Sequence, residues 1–205
     1  MTETDSTSVM WWSIRVELAG GGTAGKLWPR PGRLLAMNSA HTLHELAEAI
    51  DDAFARWDRS QRHEFEFPAT GMWAIERRYR DSAEDPRAEF DADTTRVSDA
   101  VQPGQEFHYT YDLGNHWSHI CQIEPRPIDV AAVLDCVPQR PLPYRGWGTI
   151  PDPNGRLWDG DNGRNPVPPP PHQPWPWSNA PAPTLTTLHS PGQYTLLQNL
   201  DTQHR

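Results

Sequence analysis

The segment from Gln105 to Glu124 constrains the fold more strongly than any other part of the chain. Apolar and polar side chains alternate on both sides of Leu113-Gly114-Asn115, and this period of two is typical of a half-buried β-hairpin. The alternating large side chains are Phe107, Tyr109 and Tyr111 in the first arm and Trp117, His119, Cys121 and Ile123 in the second. The segment therefore predicts an antiparallel strand pair with one face in a hydrophobic core.

Two registers of this hairpin are compatible with the sequence. A three-residue loop at Leu113-Gly114-Asn115, with Asn115 in the left-handed conformation, pairs Tyr111 with Trp117 and places every ring on one face. A two-residue loop shifts the pairing by one residue, so that the large side chains of the two arms go to opposite faces. We favour the first register because it gives one consistent apolar face.

The same hairpin carries the residues that we expect to matter most, namely Asp112, Gly114, Asn115, Trp117 and His119. An aspartate that begins a turn accepts hydrogen bonds from the backbone N–H groups of that turn. A tryptophan at the start of the return strand can close the core, and a histidine two residues later can hydrogen-bond beneath it. We therefore assign these side chains structural roles first, and we assign no catalytic residue.

A metal site at the hairpin is the most specific enzyme-like hypothesis. His119 and Cys121 are two residues apart, so they share one face of the strand, and Cys136 with either His108 or His116 would complete a tetrahedral set for zinc. The spacing lacks the paired C-x-x-C pattern of common zinc sites, and a buried thiol beside a packed histidine explains the same residues. We therefore expect no cofactor, with zinc at His108, His119, Cys121 and Cys136 as the alternative.

The clearest helix pattern runs from Leu43 to Trp57. Thr42, followed three residues later by a glutamate, matches a capping box, and apolar residues then recur at steps of three and four. The acidic residues of the opposite face, Asp51 among them, predict a solvent-exposed surface. His41 and His44, which lie near the start of the helix, are expected at the surface as well.

Further elements follow from shorter patterns. Alternating or short apolar runs predict strands at Trp12–Leu18, Arg33–Met37, His63–Phe67 and Met72–Tyr79, and helical spacing predicts short helices at Val97–Val101 and Ile128–Cys136. Residues 80–93 are charged and interrupted by proline, which predicts an insertion loop.

Length and composition predict one substantial domain followed by an extended tail. A chain of 205 residues can bury a real core, whereas 36% hydrophobic residues together with 22 prolines are too lean for a globular fold throughout. The prolines concentrate late, above all in Pro168–Pro171 and Pro174-Trp175-Pro176-Trp177. We therefore divide the chain into a flexible N-terminus at residues 1–9, a domain at 10–163 and a proline-rich, disordered tail at 164–205.

The charge and the cysteine content argue against several classes of function. A formal net charge of −9 repels phosphate backbones, so we expect only weak or indirect contact with DNA. Two cysteines are too few for a disulfide framework, and no apolar run has the length of a membrane span or a secretory signal. These features predict a cytoplasmic protein without a membrane partner.

Several segments together resemble one family. Trp12–Leu18, Thr42–Leu46, His63–Phe65 and above all Tyr111–Ile120 resemble the plasmid pRiA4b ORF-3-like family, which is carried by plasmids, insertion-element passengers and many chromosomes. The family's hairpin looks like Tyr-Asp-Phe-Gly-Asp followed by Trp-x-His-x-Ile/Val, so this chain departs from it at Leu113 and Asn115. The segment 141–161 is similar to the actinobacterial passenger branch, sometimes labelled resolvase-like, and the whole resemblance covers about residues 10–165.

The resemblance implies a compact α+β domain in which a mixed, mostly antiparallel sheet packs on one main helix in a β-grasp-like way. It implies no established activity. The resolvase-like label is not supported by the residues, because a serine recombinase needs a nucleophilic serine among arginines that hold the scissile phosphate.

These observations lead to the hypothesis of a non-catalytic domain of mobile-element origin that binds another protein. The proline–tryptophan tail and the acidic helix face are the surfaces expected to bind it. The first alternative is an accessory factor for DNA transposition or recombination, and the second is a metal-dependent enzyme with a site at residues 108–121.

Overall fold

One mixed sheet organises the part of the chain that the computed structural model describes, residues 9–56, 58–76, 88–148, 150–151, 185–190 and 193–196. The strands are β1 Trp11–Gly21, β2 Gly25–Lys26, β3 Gly32–Asn38, β4 His63–Phe67, β5 Met72–Ile75, β6 Ala88–Asp91, β7 Glu106–Tyr111, β8 Trp117–Pro127, β9 Leu142–Trp147, β10 Leu185–Ser190 and β11 Gln193–Leu196. The helices are α1 Leu43–Ala53, α2 Val97–Ala100 and α3 Val130–Leu134.

The main sheet runs in the order β6-β5-β4-β7-β8-β1-β3-β9, and β2 pairs with β1 outside this path. All of its strand pairs are antiparallel except β5 with β6, which is parallel. The sheet dominates the described residues and the helices are few, in agreement with the predicted α+β class and its mixed, mostly antiparallel sheet.

The hairpin β7–β8 adopts the favoured register. Tyr111 pairs with Trp117 and Tyr109 pairs with His119, so the large side chains of both arms share the buried face. The expectation of a left-handed Asn115 is wrong, because the positive φ angles in this turn belong to Asp112 (55°) and His116 (51°). Asp112 tolerates this conformation since its carboxylate bonds to the N–H groups of its own turn.

Helix α1 begins as the sequence predicts but ends four residues earlier than expected. Thr42 and Glu45 form both hydrogen bonds of the capping box. After Phe54, Ala55 adopts a left-handed φ of 55°, and the Arg56 N–H returns to the carbonyl oxygen of Asp51 at 2.8 Å. This pattern is typical of a helix C-terminus, so Ala53 is the last helical residue.

The core lies between α1 and one face of the sheet. Its fully buried members include Leu46, Ile50 and Phe54 from the helix side and Ile14, Val16, Leu18, Leu35, Phe65, Phe107, Tyr109, Tyr111 and Cys121 from the sheet. Burial of this many large apolar side chains is the main source of stability for a domain of this size.

The opposite face of the sheet is covered at one end. Trp11, Ala36, Val130 and Leu134 form a smaller buried cluster there, through which α3 packs on the sheet. The edge strand β9 joins the same end, and Trp147 at its terminus is only 2% exposed. Tyr144 and Trp147 therefore anchor this part of the chain on the domain.

Three sequence-based expectations are corrected. The helix face expected in solvent is partly buried, because Asp51 is only 4% exposed. His41 is also 4% exposed, since its ring lies edge-on to Trp11 with the ring centroids 5.4 Å apart. The expected insertion loop at 80–93 contains strand β6, which pairs with β5.

A run of glycines lets β1 approach the hairpin turn closely. A Cβ atom on Gly21, where φ is +151°, would lie 2.6 Å from Trp117 Cα and 2.8 Å from the carbonyl oxygen of His116. The neighbouring Gly22 N–H donates to the carbonyl oxygen of Asn115 at 2.7 Å. Glycine is therefore required at position 21, because a side chain would overlap the hairpin turn and because this φ angle disfavours other residues. The glycine run forms the turn between β1 and β2.

The C-terminal region contributes a separate two-stranded pair, β10 with β11. The proline-rich stretch 164–183, the aspartates of segment 159–163 and residues 1–8 lie outside the described residues. Among the helices of the described residues, none combines the length and the apolar character that a membrane span requires.

Candidate metal centre beside the main helix

The predicted hairpin residues hold the turn together. Asp112 Oδ1 accepts the backbone N–H groups of Gly114 at 3.1 Å and Asn115 at 3.2 Å, and the Asn115 side-chain amide donates to Oδ2 at 2.6 Å. Asp112 is 5% exposed, whereas Gly114 and Asn115 lie at the surface. The geometry gives these three residues a shared role in closing the turn.

Trp117 and His119 lie in the core behind that turn. Trp117 is 1% exposed, and the guanidinium carbon of Arg56 lies 4.5 Å from its ring centroid. His119 is fully buried, and its Nδ1 donates to the carbonyl oxygen of Tyr109 at 3.2 Å. Burial, together with the charge of Arg56, lowers the pKa of His119 well below its usual range, so its imidazole is neutral.

The four residues considered for zinc at the hairpin do not come together. His108 lies on the sheet face opposite His119 and Cys121, between the carboxylates of Glu66 at 3.4 Å and Glu106 at 3.3 Å. Cys136 is exposed beyond α3. Burial raises the pKa of the Cys121 thiol well above its ordinary value, which keeps this thiol protonated in the core.

A different set of donors converges beside the start of α1. Nδ1 of His44 lies 3.0 Å from Oε1 of Glu76 and 3.7 Å from Oδ1 of Asp93. All three donor atoms lie within 4.8 Å of one another, and among the described residues these three form the group of His, Cys and acidic side chains that could hold a metal ion. An imidazole with two carboxylates is a donor set that binds divalent transition metals.

His63 extends this cluster from the interior. Its Nε2 atom lies 3.1 Å from the same Glu76 oxygen, yet it is buried without a hydrogen-bond partner. The distance permits an ion pair with Glu76, whereas the direction of the ring nitrogen does not suit a hydrogen bond to that oxygen. His63 therefore lies beside Glu76 at the buried side of the cluster, but it is not one of the three donors.

Four elements bring the cluster together. His44 is in the first turn of α1, His63 opens β4, Glu76 directly follows β5, and Asp93 follows β6 by two residues. Because β5 and β6 are parallel, Glu76 and Asp93 project from the same end of the two strands. Glu76 is 1% exposed, a degree of burial that a carboxylate tolerates only with partners of opposite charge or hydrogen-bond donors.

The sequence contained only part of the signal for this cluster. The alternation in β4 indicates that His63 shares the inward side with Phe65 and Phe67, but His44 was expected in solvent. The pairing of β5 with β6 has no signature in the charged segment that joins them. The proximity of Glu76 to Asp93 could therefore not be predicted from spacing.

A buried carboxylate, Asp51, lies near the cluster on the next turns of α1. The Tyr109 hydroxyl donates to its Oδ1 at 2.8 Å, and Arg59 Nη1 lies 3.5 Å from its Oδ2. Burial raises the pKa of Asp51 to about 6, against the opposing effects of His63, Arg59 and the Tyr109 hydrogen bond. The carboxyl group therefore favours its protonated form in the folded protein more than in the unfolded chain.

This shift predicts a pH-dependent difference between wild type and Asp51→Asn. As the pH rises from about 4 to 7, the unfolded chain loses the Asp51 proton before the folded protein does, so the wild type loses stability through this window. The asparagine variant lacks that loss. Over this pH window, we expect the free energy of unfolding of the wild type, measured by urea denaturation, to fall by about 2–3 kcal/mol relative to that of Asp51→Asn. Parallel pH profiles would contradict the assignment.

Comparisons with known proteins place the chain in context. The sequence model for plasmid pRiA4b ORF-3-like proteins matches residues 13–138, a range that includes the hairpin and all four residues of the cluster. A crystal structure of a protein of unknown function from Methanosarcina mazei Go1 is similar, with 22% identity and a TM-score of 0.49 over 67% of this chain and 69% of that chain. No curated protein sequence gave a significant match.

Proposed function

The chain belongs to the plasmid pRiA4b ORF-3-like family, and for this member we propose a divalent-metal-binding function, with the ion held by His44, Glu76 and Asp93. The observation that carries the proposal is the convergence of three donor atoms within 4.8 Å. They come from a helix and from the ends of two strands, so the fold and not local sequence brings them together. His63 supports the set from the buried side.

Zinc is the first ion to test. Imidazole nitrogen suits zinc and its transition-metal neighbours, whereas magnesium and calcium prefer sites made of oxygen alone. A centre of one nitrogen and two carboxylate oxygens is also open to manganese, which is the second ion to test.

A bound ion would stabilise the fold as well as occupy a site. It would link α1 to the ends of β5 and β6, which lie at one edge of the sheet. Because the unfolded chain does not present these donors together, the free energy of binding adds to the free energy of unfolding.

The proposal predicts stoichiometric zinc binding by the full chain after chelator treatment. Titration calorimetry should give one site, and free zinc at about 100 times its Kd should raise the free energy of unfolding by about 2.7 kcal/mol. Glu76→Gln should weaken zinc binding by about 100-fold or more, because it removes a charged ligand that the fold holds in place.

His108→Gln is the matched control. His108 is also a histidine between two carboxylates, with Glu66 at 3.4 Å and Glu106 at 3.3 Å, but it lies on the opposite face of the sheet. This variant should bind zinc as the wild type does. Loss of zinc binding in His108→Gln, with binding retained in Glu76→Gln, would show that the site lies elsewhere.

Protein binding through the proline–tryptophan tail is a separate prediction, because that segment lies outside the described residues. The expected absence of strong DNA binding and the alternative of a transposition accessory factor also stay predictions. A metal-binding domain is compatible with each of them.

A further inference from the structure

The proposed ion would face a cleft large enough for a small molecule. His44, His63 and Glu76 line a cleft of about 380 Å³ between α1, the start of β4 and the segment at Arg140 and Pro141. Small-molecule sites commonly have volumes of about 300–1,000 Å³. The cleft is therefore of sufficient size to admit a ligand as well as water.

The donor set is closed on one side and open on the other. The side chains of Glu76 and His63 are 1% and 7% exposed, whereas those of His44 and Asp93 are 35% and 40% exposed. Structural zinc sites have four protein ligands, and reactive ones keep a position for an external ligand. Two of the three donors, His44 and Glu76, line the cleft, and a three-donor set that borders a cleft fits the second arrangement.

A buried group in the cleft is available to such a ligand. His63 is 6% exposed, and its Nε2 atom makes no hydrogen bond, although it lies 3.1 Å from a carboxylate oxygen of Glu76. A buried polar atom without a partner is costly, so a ligand or ion that engages this nitrogen gains that free energy on binding.

The charge of the lining indicates which ligands are favoured. Among the described residues, five carboxylates line the cleft, those of Glu45, Glu48, Asp51, Asp52 and Glu76, against the guanidinium groups of Arg59 and Arg140. Arg59 lies against Asp51 and Asp52. A divalent ion reduces the negative excess but does not reverse it, so the loaded cleft repels anions and attracts cations.

Glu48 is positioned to meet a cationic group at the mouth of the cleft. Its side chain is 46% exposed, and its carboxylate lies 3.7 Å from Nε2 of His44 and 3.5 Å from Nη1 of Arg140. Arg140 is 76% exposed, and an ion pair this exposed is weak. A ligand ammonium or guanidinium group can therefore displace Arg140 from Glu48 at little cost.

We propose that the cleft binds a small cationic molecule at two points, an oxygen donor on the ion and an amino or guanidino group beside Glu48. This inference rests on the metal-binding function proposed above. The ligand class is a basic amino acid or a related amine that carries a carbonyl or carboxylate oxygen.

Cobalt and a series of amino-acid hydroxamates provide the test. Cobalt(II) replaces zinc with a visible spectrum that changes when an external ligand joins the ion, and the hydroxamate group supplies the oxygen donors. The full chain loaded with cobalt at pH 7.5 and low salt should bind arginine hydroxamate most tightly, then alanine hydroxamate, then glutamate hydroxamate. We expect about a tenfold span from first to last, which should shrink at high salt.

A pair of variants tests whether the cationic group of the ligand lies beside Glu48. Glu48→Gln should reduce the ratio of arginine to glutamate hydroxamate affinity severalfold in the cobalt-loaded protein. The control Glu66→Gln removes a carboxylate from the opposite face and should leave the ratio at its wild-type value. An equal ratio in the two variants would overturn the placement beside Glu48.

The remaining outcomes separate this inference from the proposed function. Failure of the full chain to bind zinc or cobalt would overturn both. Cobalt binding with no spectral response to any hydroxamate would show a closed, structural ion and would overturn the ligand proposal alone. Tightest binding of glutamate hydroxamate would overturn the charge argument.

Discussion

Trp117→Ala is expected to lower the free energy of unfolding by about 3–5 kcal/mol. Trp117 is only 1% exposed, it pairs with Tyr111 across the hairpin, and Gly21 and Gly22 approach its ring closely. Alanine would leave a large cavity beside the backbone of Gly21 and Gly22, and truncation costs most where the surroundings cannot collapse into the cavity. Urea denaturation with matched m-values would measure the loss.

Two comparisons make this result specific. Trp28 is 60% exposed, so Trp28→Ala should cost less than about 1 kcal/mol. His119→Gln keeps a hydrogen-bonding group in a similar volume and should cost about 1–2 kcal/mol. If His119→Gln were instead the more destabilising of the hairpin variants, and if it also abolished zinc binding, a metal site at the hairpin would be favoured over the structural role.

Gly21→Ala is expected to cost about 3 kcal/mol or more, although it adds a single methyl group. The new Cβ atom would lie 2.6 Å from Trp117 Cα and 2.8 Å from the His116 carbonyl oxygen. Both are backbone atoms, so rotation of a side chain cannot relieve the overlap. The φ angle of +151° is also unfavourable for alanine, and β1 would have to separate from the hairpin turn.

Gly25→Ala is the matched control for that substitution. Gly25 has a positive φ of 62°, but a Cβ atom there would meet nothing within 4 Å. Its cost is therefore the conformational one alone, about 1–2 kcal/mol. Equal losses of stability in the two variants, by the same denaturation measurement, would show that contact with the hairpin turn does not explain Gly21.

The elements with strong local signals were predictable. The capping box at Thr42, the alternation in β1 and β4, and the ring-bearing hairpin each encode their structure within about 15 residues, where side-chain period and turn chemistry decide the outcome. The register followed from the requirement that Tyr109, Tyr111 and Trp117 share a face. The left-handed residues of the turn were misplaced, because the carboxylate of Asp112 determines them and not the side chain of Asn115.

The candidate site depended on longer-range features. Asp51 belongs to the polar side of the helix pattern, yet Tyr109 and Arg59 bury it from outside the helix. Glu76 and Asp93 become neighbours only because β5 and β6 pair in parallel, and parallel pairing needs a crossover that leaves no periodic signal. The sequence therefore predicted the scaffold, and the tertiary arrangement determined the cluster.

The pairing of β1 with β8 places the first strand of the domain beside a strand from its later part, at the centre of the sheet. Ile14 is opposite Ile123, and Val16 is opposite Cys121, so the central ladder closes a loop that spans most of the domain. Contacts between residues so distant along the chain slow folding, because the entropy of loop closure is lost before the contacts form. During synthesis β1 and β3 would emerge early and can pair with each other, whereas the ladder between β1 and β8 has to wait until β8 is made.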